Sequence, residues 1–108
     1  MYRFEKMHGL GNDFMLLDAD CQDAGVHLPP PAPVISRWAD RRYGVGFDQL
    51  ICITRDNGGL RYQFFNADGK PAEQCGNGQR AIALYLHNKQ QPMPITVDGS
   101  GGPVQLNY

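Results

Sequence analysis

No stretch of this sequence approaches the ~20 consecutive apolar residues that a membrane-spanning helix requires; the longest such run is Ala81 to Leu86. The N-terminus, Met1-Tyr2-Arg3-Phe4-Glu5-Lys6, lacks the apolar centre and small-residue cleavage site of a secretory signal. Cysteines number only three, an odd count, and none is spaced as a metal knuckle, so neither a disulfide framework nor a zinc module is expected. A reduced, cytoplasmic compartment and no bound metal are the expectations. Charge of either sign is not in excess: ten basic and eleven acidic residues leave a net charge of -1. No basic patch points to nucleic acid, and no acidic tail to a basic partner.

What is present is a chain of 108 residues, 42% hydrophobic and 19% charged, the profile of one globular domain. Tyr2 to His8 and Phe14 to Asp18 read as strands joined by the turn Gly9-Leu10-Gly11-Asn12-Asp13. Residues 19–33, with Leu28-Pro29-Pro30-Pro31-Ala32-Pro33, read as a stiff surface connection. Val34 to Arg42 carries Val34, Ile35, Trp38 and Ala39 at helical spacing, predicting an amphipathic outer helix that Tyr43-Gly44 ends. Leu50 to Thr54 and Arg61 to Phe65 flank Asp56-Asn57-Gly58-Gly59 and predict a hairpin. Cys75 to Lys89 reads as a second helix, and Ala81 to Leu86 would make it apolar, and so buried, on every side. Ile95 to Asp98 and Val104 to Tyr108 read as closing strands.

Chemistry concentrates at Cys75-Gly76-Asn77-Gly78. Glycines at a helix start let backbone N–H groups approach an anion, and the helix dipole adds positive potential. A thiol there is expected to ionise more readily than the ~8.5 of free cysteine. Thiolate and anion cradle together suit proton removal from a carbon bearing a carboxylate. They also suit nucleophilic attack on a carbonyl, but His8, His27 and His87 are not placed in sequence to serve as the base. A silent buried cap would not need two glycines, each costing up to ~1 kcal/mol against alanine. Cys52, inside Leu50-Ile51-Cys52-Ile53, reads as core, and Cys21 as a loop residue. Asn12, Gln49 and Asn66-Ala67-Asp68-Gly69 are turn or cap residues individually, but together could supply uncharged hydrogen bonds to one pocket.

Four segments, in order, resemble the diaminopimelate epimerase family: Met7-His8-Gly9-Leu10-Gly11-Asn12-Asp13-Phe14, Gly44-Val45-Gly46-Phe47-Asp48-Gln49, Phe65-Asn66-Ala67-Asp68-Gly69 and Glu73-Gln74-Cys75-Gly76-Asn77-Gly78. Gln79 departs from the pattern, standing where the family usually has alanine before the arginine that is Arg80. The resemblance implies an isomerase of lysine and peptidoglycan precursor synthesis that interconverts LL- and meso-diaminopimelate without pyridoxal phosphate or metal. It implies that Cys75 is one of two cysteines acting on opposite faces of the α-carbon. Gly76 and Asn77 would hold the carboxylate, and Asn12, Gln49 and Asn66 would line the pocket. The implied fold is α+β, a β-sheet wrapped around a central buried helix, repeated in two similar halves.

Residues 1–108 correspond to the first half only, so the N-terminal domain is expected without its second domain and second cysteine. Inversion needs an acid opposite the base, and one thiol cannot be both. The expected state is therefore half a site, inactive alone, whose partner is the missing C-terminal half. The alternative is a homodimeric binding or structural module, two copies pairing through the surfaces that half would cover.

Overall fold

The computed structural model of the protein describes residues 2–9, 11–56, 59–73, 76–99 and 101–108. Strand β1 (Glu5–His8) pairs antiparallel with β2 (Asp13–Asp18) across the predicted glycine turn. A short 3-10 turn at Ala19–Cys21 and the proline-rich connection lead to helix α1 (Ala32–Ala39). The chain returns as β3 (Gln49–Asp56), parallel to β2, and reverses into β4 (Gly59–Asn66), antiparallel to β3. A two-residue strand, β5 (Pro71–Ala72), adds to β4. Helix α2 (Gly76–Asn88) then carries the chain to β6 (Ile95–Gly99), parallel to β4, and β7 (Gly102–Leu106) pairs antiparallel with β6. The sheet runs β1-β2-β3-β4-β6-β7, with β5 beside β4. This is a mixed α+β fold, one sheet with two helices.

Parallel neighbours cannot be joined by a tight turn, so each parallel pair needs a crossover, and α1 and α2 are those crossovers. Side chains alternate along each strand and divide between the two faces. Phe14, Leu16, Ile51, Ile53, Tyr62 and Phe64 join Ile82, Tyr85 and Leu86 of α2 in one cluster. Met15, Leu17, Leu50, Cys52 and Phe65 join Ile35 and Ala39 of α1 in the other. With a helix on each face, β2 and β3 are apolar without alternation, which explains the runs Phe14–Leu17 and Leu50–Ile53.

Helix α1 departs from its predicted bounds at both ends. It starts at Ala32, inside the proline run, with Pro33 in the first turn. The missing N–H of proline costs nothing there, because first-turn N–H groups have no partner within the helix. It ends at Ala39, because the Asp40 carboxylate accepts hydrogen bonds from the N–H groups of Arg42 (2.7 Å) and Tyr43 (3.0 Å). Those bonds hold the Asp40 carboxyl below its usual range, Tyr43 contributing more than Arg42.

Helix α2 is less enclosed than its apolar run predicts. Ala81, Ile82, Ala83, Tyr85 and Leu86 are buried, but Leu84 is only half-buried. It faces a groove of about 400 Å³ bordered by Met7 and His8 of β1 and by Tyr108. The predicted β7 likewise ends at Leu106, short of Tyr108. None of the helices among the described residues is long and apolar enough to cross a membrane.

Candidate functional site

Strands β2 and β3 begin at one end of the sheet, β4 finishes there, and α2 starts there. Sheet register therefore brings the expected binding residues to one rim. Gln49 opens β3 opposite Asn66, the last residue of β4, and opposite Phe14 on β2. The Gln49 side-chain amide donates to Asn66 Oδ1 at 3.5 Å. Asn12 lies just before β2, and the Asn77 amide in the first turn of α2 donates to Asn12 Oδ1 at 3.4 Å. Both bonds are at the long limit, so a ligand's polar groups can replace them at little cost.

Local turns set these positions. Gly9 N–H donates to the Asn12 carbonyl at 2.7 Å, closing the first turn. That turn lies against α2: a Cβ at Gly9 would stand 3.6 Å from the Asn77 Cβ. At the end of β4, Gly69 N–H donates to the Asn66 carbonyl at 2.9 Å, and Asn66 N–H to the Lys70 carbonyl at 2.8 Å. Gly69 has φ +85°, and a Cβ there would be 2.5 Å from the Ala32 carbonyl oxygen of α1. Gly76, the first residue of α2, differs: a Cβ there would meet nothing within 4 Å. Packing among the described residues does not account for a glycine at that position.

Cys75, the expected thiol, lies outside the described residues, as does Gln74. Of the other cysteines, Cys52 is fully buried, and burial pushes its thiol up to about 12. It is core, as its sequence setting predicts. Cys21 is exposed in the 3-10 turn, with Sγ 3.6 Å from the Tyr85 hydroxyl. Tyr85 in turn donates to Asp18, a buried carboxylate, at 2.8 Å.

Sequence reasoning missed a charged cluster immediately behind the rim. Arg41, within the span predicted for α1, lies past its end and bridges two carboxylates. Its Nη1 is 2.8 Å from Asp13 Oδ2 and its Nη2 is 3.0 Å from Asp48 Oδ1. His8 Nδ1 lies 2.7 Å from Asp13 Oδ1. The His8 bond, then the Arg41 bond, lowers the Asp13 carboxyl to about 2. The available signal was Asp40 ahead of Arg41-Arg42, a side chain able to end the helix early and release Arg41 from it. Among the described residues, no group of three or more His, Cys, Asp or Glu could hold a metal ion.

Fold and rim together define a mixed α+β lobe with neutral amides gathered at the start of a helix. Solved structures that share that fold include two phenazine biosynthesis proteins of the PhzF family. The one from Enterococcus faecalis has TM-score 0.63 at 13% identity, over 90% of this chain and 34% of that chain. The one from Bacillus anthracis has TM-score 0.61 at 17% identity, over 98% and 34%. The family model for diaminopimelate epimerase matches residues 4–108. The diaminopimelate epimerase of Pseudomonas paraeruginosa (strain DSM 24068 / PA7) is 45% identical over 99% of this chain and 39% of its own length. That of Nitrosomonas europaea is 50% identical over 93% of this chain and 36% of its own. The chain belongs to the diaminopimelate epimerase family and spans about 39% of the length of such relatives.

Proposed function

We propose that residues 1–108 form the N-terminal lobe of a cytoplasmic, cofactor-independent epimerase that interconverts LL- and meso-diaminopimelate. Cys75 supplies one of the two proton-transfer thiols. The observation that carries this reading is the convergence of Asn12, Gln49, Asn66 and Asn77 on one rim beside the first turn of α2. Neutral amides suit a zwitterionic amino acid, because they bind ammonium and carboxylate groups without adding a net charge to be desolvated.

In this reading the substrate α-carboxylate sits against the N–H groups of Gly76 and Asn77. Their dipoles stabilise the negative charge that spreads onto its oxygens when the α-proton leaves. The open space beside Gly76 supports this, since a substrate rather than a protein atom would use it. Cys75 precedes Gly76 in sequence and acts as thiolate base in one direction and thiol acid in the other. One proton leaves the α-carbon on one face and one is delivered on the opposite face. The second thiol belongs to a further lobe, so residues 1–108 by themselves hold half a site. The family fold, a sheet wrapped around a central helix, is proposed for this lobe too. Its support is that β2, β3, β4, β6 and β7 all contribute to the cluster around α2.

A chimera tests this assignment: residues 1–108 replace the matched segment of the Pseudomonas paraeruginosa relative. It is expected to interconvert LL- and meso-diaminopimelate, with Cys75→Ala lowering the rate by at least ~100-fold. A Cys75→Ala chimera of undiminished rate would contradict the role given to the thiol.

A further inference from the structure

We propose that Arg41 is a positioning residue: by bridging Asp13 and Asp48 it sets the spacing of Asn12 and Gln49 on the rim. The proposal rests on the reading above for what Asn12 and Gln49 bind, but its geometry stands apart from it. Asp13 directly follows Asn12, and Asp48 directly precedes Gln49. The two aspartates also bond to each other through the backbone. Asp13 N–H donates to Asp48 Oδ2 at 2.8 Å, and Asp48 N–H donates to the Asp13 carbonyl at 3.0 Å. This carries the β2–β3 ladder one step beyond its last strand pair, Phe14 and Gln49. The guanidinium then spans both carboxylates in a two-pronged geometry that an ammonium cannot reproduce.

Stability is a poor reason for so many contacts. The Arg41 and Asp48 side chains are 54% and 43% exposed, and exposed ion pairs contribute little to stability. The buried rungs Met15–Leu50 and Leu17–Cys52 already join the two strands further in. At the rim the Asp13–Asp48 contact is itself the last rung, and two carboxylates side by side there would push the strand starts apart. Arg41 removes that repulsion and fixes the gap between the residues on either side. It can do so because Asp40 ends α1 one residue earlier and turns the chain toward β3.

The test uses the 108-residue chain, with the side-chain amide NMR signals of Asn12 and Gln49 assigned and those of Asn88 and Gln90, at the far end of α2, as remote references. Arg41→Met is expected to move or broaden the Asn12 and Gln49 signals and leave Asn88 and Gln90 in place. Arg41→Lys is expected to fall between Met and wild type. Adding Asp48→Asn to Arg41→Met removes one of the opposed carboxylates and is expected to return the signals part of the way. Should Arg41→Met fail to fold, Asp48→Asn alone carries the test, because it cuts one arm of the bridge without leaving two unshielded carboxylates. Unmoved Asn12 and Gln49 signals, or equal movement at all four residues, would overturn the proposal. Signals that respond to Arg41→Met, beside a chimera that does not interconvert LL- and meso-diaminopimelate, would leave the positioning role standing and remove the substrate reading.

Discussion

Asp13 stays ionised far into acid because the protein surrounds its carboxylate with donors. His8 and Arg41 bond to its two oxygens, and the carboxyl falls to about 2. An unfolded aspartate has a pKa near ~3.9, so the folded state holds its proton more weakly. The stabilising contribution is therefore complete above about pH 4 and disappears as pH falls from there through about 2. A carboxyl-carbon NMR titration should show Asp13 with its midpoint near pH 2, and a midpoint near 4 would contradict the cluster. Cys52 illustrates the opposite influence, burial without a partner, which raises its thiol to about 12. At neutral pH an alkylating reagent should label Cys21 and Cys75 well before Cys52, read by mass spectrometry of the folded chain. Early labelling of Cys52 would mean that the α1 face of the sheet opens readily.

At the scale of elements, the rim depends on how turns seat the strand ends. The turn after β4 needs Gly69 twice over: for its positive φ, and for the closeness of α1 at Ala32. Gly69→Ala is expected to cost on the order of 1–3 kcal/mol in urea unfolding and to shift the neighbouring Asn66 amide. A neutral result would show that α1 and the turn are not tightly seated. Much at this scale was legible in the sequence. Strands buried on both faces leave unbroken apolar runs, so β2 and β3 were readable, and the glycine-rich turn marked the β3–β4 hairpin. The end of α1 was not, because a single side chain, Asp40, decides it by capturing two N–H groups. Strand β5 was not either, since two residues beginning with proline carry no periodicity. The rim residues could be nominated one at a time, but their meeting depends on register between positions 17 and 65 residues apart.

For the whole molecule, two crossovers set α1 and α2 on opposite faces, and the rim forms where β4 ends and α2 begins. The rim thus lies beyond the carboxyl end of β4 and beside the amino ends of β2 and β3, with the helix dipole of α2 adding positive potential to it. The groove beside Leu84 opens next to that rim, bordered by Asn77 and Arg80, so α2 is sealed on the sheet side and accessible toward Tyr108. The relatives run to more than twice the length matched here. If this lobe holds one of two proton-transfer groups, as proposed, it does not epimerise alone. The most direct test follows LL-diaminopimelate in D2O by proton NMR, reading both exchange of its α-hydrogen and formation of the meso form. The isolated chain should form no meso-diaminopimelate, with or without exchange, while the chimera with the Pseudomonas paraeruginosa relative both exchanges and inverts. Formation of meso-diaminopimelate from the LL form by the isolated chain at an enzyme-like rate would contradict the account.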